Sequence, residues 1–138
     1  MNKLNLTITS ELNNIRMVEN FIEKAIEEFK LSEELKGKIT LPIIEAVNNS
    51  ILYGNKQNPQ KLIKIAVAKS HKKVIFTVED EGEGFDFNNI PDPITPEHLE
   101  KVTGRGLYLM TRLTNKLLFT KNGAKVMMVF SLTDETHS

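Results

Sequence analysis

The sequence predicts an α+β fold, a two-layer sandwich whose mostly antiparallel mixed sheet is covered on one face by helices. Three observations predict it: strand-like alternation near both termini and in the middle, two adjacent helical segments after the first strand, and later strands arranged in turn-linked pairs. Leu4 to Thr9 alternates apolar and polar, with Leu4, Leu6 and Ile8 on one face, and is the first strand. Ser10 suits an N-cap; Ile15, Val18, Phe21, Ile22, Ala25, Ile26 and Phe29 then recur at helical spacing to about Lys30. Ser32 caps a second helix, with Glu33 and Glu34 in its dipole-favoured first turn. That helix directs Leu35, Ile39, Ile43, Val47 and Ile51 to the core and ends near Gly54, with a kink or break expected at Pro42. Leu62 to Val67 and Val74 to Val78 form a hairpin turning at Ser70-His71-Lys72-Lys73. A long connection with three prolines, Asn88 to Thr103, leads to a helix over about Gly104 to Leu113. Strands Lys116 to Thr120 and Lys125 to Leu132 follow, joined at Asn122-Gly123, before a frayed tail from Asp134.

The 138 residues suit one domain spanning 1–138, with no repeat, low-complexity tract or linker between two cores. Eighteen basic against 18 acidic residues give zero net charge, which argues against nucleic-acid binding through a general basic surface. Zero cysteine removes disulfides, thiolate zinc sites and cysteine nucleophiles, and fits a reducing, cytoplasmic setting. No apolar run nears the ~20 residues of a membrane span, and the N-terminus lacks the apolar core of a signal peptide.

Five of the seven glycines fall in three short segments. In Glu45-Ala46-Val47-Asn48-Asn49-Ser50-Ile51-Leu52-Tyr53-Gly54-Asn55, Glu45 and Asn49 share a helix face. Either Asn49 is an oxygen ligand for Mg²⁺ with Glu45 poised to activate a hydroxyl, or the two are a solvated polar pair; taken alone, they favour the second. In Asp80-Glu81-Gly82-Glu83-Gly84-Phe85-Asp86, a carboxylate at a strand end can accept from the exocyclic amine of adenine, while Gly82 and Gly84 leave room for the ring. An acidic turn is the other reading; a calcium loop is not, because the carboxylates it needs are missing. In Gly104-Arg105-Gly106-Leu107, a helix start offers amides to phosphate and Arg105 a charge-assisted contact, or the segment is a plain loop-to-helix junction. Neither a Walker A loop nor a GxGxxG fingerprint is present.

Order and spacing raise the three segments above their separate weight. ExxxN on a helix, DxGxG after a strand, a proline-containing lid and GxG at a helix start resemble the N box and two glycine boxes of the ATP-binding (Bergerat) fold shared by DNA gyrase, heat-shock chaperones, histidine kinases and MutL. The form of the blocks is similar to that of bacterial anti-sigma factor serine/threonine kinases. The resemblance implies Glu45 as general base, Asn49 as Mg²⁺ ligand and ATP contact, and Asp80 reading adenine over Gly82 and Gly84. Gly104, Arg105, Gly106 and Leu107 would wrap phosphate at the end of an ATP lid of about 87–103. It further implies Mg-ATP-dependent phosphorylation of a STAS-domain anti-anti-sigma protein, sequestration of a sigma factor and, as a suggestion, a homodimer. Two departures stand out: Tyr53 where the family often has His, and Ala124 where it often has Thr with a hydroxyl supporting the adenine site. They keep open an alternative, a nucleotide-gated binding module without efficient transfer.

The remaining polar residues have plainer readings. His71, His98 and His137 are scattered, with no HExxH or GxSxG, so zinc hydrolysis and acyl transfer lack support. Lys61, Lys64, Lys69, Lys72 and Lys73 read as the guarded edge of a hairpin, and Met127 and Met128 as strand residues. Arg16, Glu19, Glu23 and Glu27 face away from the first helix's apolar stripe, as a partner surface or a solvated one.

Overall fold

A computed structural model describes residues 2–83 and 102–132. Alternating segments form strands β1 (Asn2–Thr9), β2 (Leu62–Lys69), β3 (Lys73–Glu79), β4 (Lys116–Thr120) and β5 (Lys125–Ser131). Their order in one sheet is β1-β2-β3-β5-β4, and every pairing is antiparallel. No parallel pair occurs among the described strands. Register places Val67 opposite Phe76 and Phe76 opposite Met128, so a single face collects Ile63, Ile65, Val67, Val74, Phe76, Val78, Val126, Met128 and Phe130, all buried. Phe76 and Phe130 meet edge to face at 6.2 Å between centroids, a geometry worth ~0.5–1.5 kcal/mol beyond area burial.

Helices α1 (Ile15–Glu28), α2 (Glu33–Asn49) and α3 (Val102–Leu113) supply the second layer. The buried stripe of α1 (Val18, Phe21, Ile22, Ala25, Ile26) and that of α2 (Ile39, Ile43, Val47) join the sheet residues in one core. Ser32 caps α2 as expected, accepting from Leu35 N at 3.0 Å, which contributes about 1 kcal/mol.

Four local expectations change. Ser10 does not cap α1: a 3-10 turn (Leu12–Asn14) intervenes, and the Ser10 hydroxyl donates instead to Lys61 O at 2.7 Å in the core. The helix break at Pro42 does not occur; α2 is continuous, because the Pro42 ring is itself buried beside Ile39 and Ile43 and packing offsets the lost bond. α3 begins at Val102 rather than Gly104. Lys64 and Lys69 guard no edge, because β2 is hydrogen-bonded on both sides; the edges are β1 and β4. No helix among the described residues is long and apolar enough to cross a membrane.

Candidate nucleotide site

The end of α2 is where the site begins. Beyond Asn49 the helix widens into a π-helical turn, Ser50–Gly54, closed by Asn55 N donating to Ser50 O at 2.8 Å. Single π turns are uncommon and concentrate at functional sites. Just before it, Glu45 is buried, and the Asn49 carboxamide oxygen is buried without a hydrogen-bond donor among the described residues. A buried amide oxygen left unpaired costs ~1–3 kcal/mol, so the fold tolerates at Asn49 what a ligand would relieve.

Asp80 follows β3, its amide bound to Ala124 O at 2.9 Å on the neighbouring hairpin. Its carboxylate accepts from Gly82 N at 2.8 Å and from the Ser50 hydroxyl, and is pressed against Gly54. A Cβ on Gly54 would stand 2.3 Å from Asp80 Oδ2, and one on Gly82 would stand 2.1 Å from Gly54 O. Neither glycine has a left-handed φ, so both are glycine because protein groups approach too closely for a side chain. Burial raises the Asp80 pKa above the ordinary 3.8, and the Glu79 charge adds to this; the Gly82 and Ser50 hydrogen bonds and Lys61 oppose it.

The third segment closes on the first. α3 packs along α2, and a Cβ on Gly106 would lie 2.8 Å from Asn49 Nδ2 and 3.7 Å from Glu45 Cβ. Gly104 and Arg105 lie in the first turn of α3 and Gly106 and Leu107 in its second. Of the GxG segment, therefore, only Gly104 lies among the free first-turn amides. The structure thus joins Glu45, Asn49 and Gly106 at one contact and Asp80 and Gly82 at another, linked by the π turn. Gly84 and positions 87–101 of the expected lid lie outside the described residues, as do His98, His137 and the side chains of Arg105 and Leu107.

Two residues of this site had no role in the sequence reading. Ser50 reaches Asp80, and Asn55, only 1% exposed, bonds three separate segments. Both stood inside the first block, but small polar residues near a helix end usually signal a cap or turn. His71 is exposed on its turn, and no group of three metal-binding side chains of His, Cys, Asp or Glu type occurs among the described residues.

Comparison with known proteins accords with this geometry. The profile of the histidine kinase-like ATPase domain matches residues 8–130, nearly the whole chain and all three segments. The chain belongs to the histidine kinase-like ATPase domain family. A curated relative, the anti-sigma F factor of Bacillus cytotoxicus, is 26% identical over 124 residues, covering 88% of this chain and 84% of that protein. Among solved structures, the RsbU and RsbW domains of Rv1364c from Mycobacterium tuberculosis share the fold, with a TM-score of 0.63 at 16% identity. That likeness covers 95% of this ATPase domain and 31% of the longer chain.

Proposed function

We propose that this ATPase-family chain is a single-domain, Mg-ATP-dependent serine/threonine kinase of the anti-sigma type, acting on a STAS-domain anti-anti-sigma protein and sequestering a sigma factor. One observation carries the proposal: three motifs far apart in sequence meet by direct contact, Asp80 on Gly54, Gly82 on Gly54 and Gly106 on Asn49. The anti-sigma F relative supports the partner class. The cytoplasm is the compartment this role requires.

The residues fit the chemistry. Asp80 would accept a hydrogen bond from the adenine amine, with Gly82 and Gly84 under the ring. The unpaired Asn49 oxygen suits a hard cation, so Asn49 would hold Mg²⁺, which supplies charge neutralisation to the phosphates when bound. The Gly104 amide at the positive end of α3 would face phosphate, with Arg105, Gly106 and Leu107 continuing that wall. In transfer, a bond forms between the acceptor hydroxyl oxygen and the γ-phosphorus, the bond to the departing ADP breaks, and Glu45 takes the hydroxyl proton.

Calorimetric titration with Mg-ATP tests binding, and transfer of labelled phosphate to a co-encoded STAS protein tests the reaction. Wild type binds and transfers, Asp80→Ala loses binding, and Glu45→Ala binds without transferring. No binding at millimolar ATP refutes the reading, and full transfer by Glu45→Ala refutes the assigned base. A second reading, a nucleotide-gated binding module, is favoured by Ala124, which is buried beside Asp80 with only its carbonyl to offer. Binding without any transfer is its signature.

A further inference from the structure

Asn55 is a buried polar side chain beside the site that makes three hydrogen bonds. Its Oδ1 accepts from Glu81 N at 2.8 Å, and its Nδ2 donates to Ser10 Oγ at 2.8 Å and to Leu62 O at 3.0 Å. The Ser10 hydroxyl in turn donates to Lys61 O at 2.7 Å. One carboxamide therefore fastens the end of β1, the start of β2 and the turn after β3 to the end of the π turn. The chain leaves Asn55 through Lys56 and Gln57, both in left-handed backbone (φ 52° and 57°), although neither is glycine. Two such residues in a row are sparsely populated and persist where surroundings over-determine them, here by Gln57 N donating to Ile51 O at 2.7 Å.

The geometry points to Asn55 as a positioning residue for base recognition: by holding Glu81 N it fixes the Asp80-Glu81-Gly82 turn, and with it the Asp80 carboxylate, at the place where the amino group of a purine is read. This deepens the nucleotide-site reading above and rests on it. The reasoning is geometric. Asp80 sits between an amide anchored to Ala124 and a carboxylate anchored to Gly82 N, so its direction follows the turn; Glu81 is the link between them, and its amide has Asn55 as its partner. Asn55 itself stays 1% exposed and acts only through that link. Without the acceptor, the turn keeps the bond from Leu62 N to the Glu81 carboxylate and the contacts of Asp80 itself but loses its backbone anchor, so the direction of the carboxylate is held less tightly and the hydrogen bond it makes is weakened selectively.

The test compares the affinity for Mg-ATP with that for Mg-purine riboside triphosphate, which lacks the 6-amino group, by calorimetry. The ratio reads only the carboxylate–amine contact, because general loosening lowers both affinities alike. Wild type is expected to favour ATP by about tenfold or more, the effect of one charge-assisted hydrogen bond. Asn55→Ala brings the ratio below about threefold, whereas Ser10→Ala lowers the melting temperature and keeps the wild-type ratio. If Asn55→Ala does not fold, Asn55→Asp at about pH 6 replaces it: burial keeps that carboxyl protonated, with an acceptor for Glu81 N and one donor, and the ratio is retained. A wild-type ratio of one overturns the base-reading role of Asp80 and this proposal with it. A discriminating wild type together with an unchanged ratio in Asn55→Ala, or a lost ratio in Asn55→Asp, overturns the positioning role alone.

Discussion

Replacing Gly54 by alanine puts the nucleotide site to its most direct test. A Cβ built there lies 2.3, 2.5 and 2.8 Å from Asp80 Oδ2, Cγ and Oδ1, where ordinary contacts begin near ~3.5 Å. The carboxylate must therefore retreat by about 1 Å. It cannot do so freely, since Gly82 N and the Ser50 hydroxyl hold it and Asp80 N is tied to Ala124 O. Overpacking of this kind costs ~1–3 kcal/mol, or roughly 3–10 °C in melting temperature for a domain of this size. A 1 Å misplacement of a positioning group is worth up to about a hundredfold in function. The expected result is a folded protein, melting several degrees lower, with Mg-ATP affinity reduced about tenfold to a hundredfold by calorimetry. Because Gly54 has no left-handed φ, backbone strain does not confuse the outcome. Unchanged melting and unchanged affinity would refute the packing of Asp80 on Gly54 and the site built from it.

Gly37 is the matched control: it is exposed in α2 with nothing within 4 Å of a built Cβ, so Gly37→Ala should stabilise by ~0.5–1 kcal/mol and leave ATP affinity unchanged. Asp80→Asn should raise the stability of the nucleotide-free protein at neutral pH while weakening ATP binding. The sign follows from the raised Asp80 pKa: the fold favours the protonated acid, so that contribution is full below 3.8 and lost as pH rises through the higher folded value, a loss the amide never suffers. Thermal melts of both proteins between about pH 4 and 8 check it, their difference widening with pH. Gly106→Ala would press on Asn49 Nδ2 at 2.8 Å and turn its carboxamide; ATP affinity should fall about tenfold with Mg²⁺ present and little in EDTA, by calorimetry in the two buffers.

Elements were more legible in the sequence than the contacts between them, for a physical reason. Period-two alternation marks β2, β3 and β5 because one face must be apolar, and the structure buries that face residue by residue. The Ser32 cap is likewise local, completed within its first turn. Pairing order is not local. β1 joins β2 across the whole helical layer, matching Ile8 with Ile63, and this makes β2 an interior strand and its lysines something other than edge guards. Ser10 departs from its expected cap for the same reason: its partner, Lys61 O, is 51 residues away, and no short-range rule competes with a bond made on folding. Pro42 shows the reverse case: a strong local rule does not break the helix, because α2 runs through the proline with its ring buried.

The candidate site divides along the same line. Glu45, Asn49, Asp80 and the paired glycines could be singled out because their residue types and spacing are unusual where they occur. The reason for the glycines could not: close approach of a ligand was the natural expectation, and the structure shows protein meeting protein, with Gly82 on the Gly54 carbonyl and Gly106 on Asn49. That difference changes how substitutions should behave. Glycines that only make room for a ligand can be replaced with loss of binding alone, whereas these sit at junctions between segments, so replacement disturbs fold and site together. Gly54 serves two of the contacts at once, with Asp80 against its Cα and Gly82 against its carbonyl, so changes at Gly54 and Gly82 share a partner and will not add. Ser50 and Asn55, which bracket the π turn, hold the same junction from the other side, and neither carries a residue-type signature that could have separated it from an ordinary helix end.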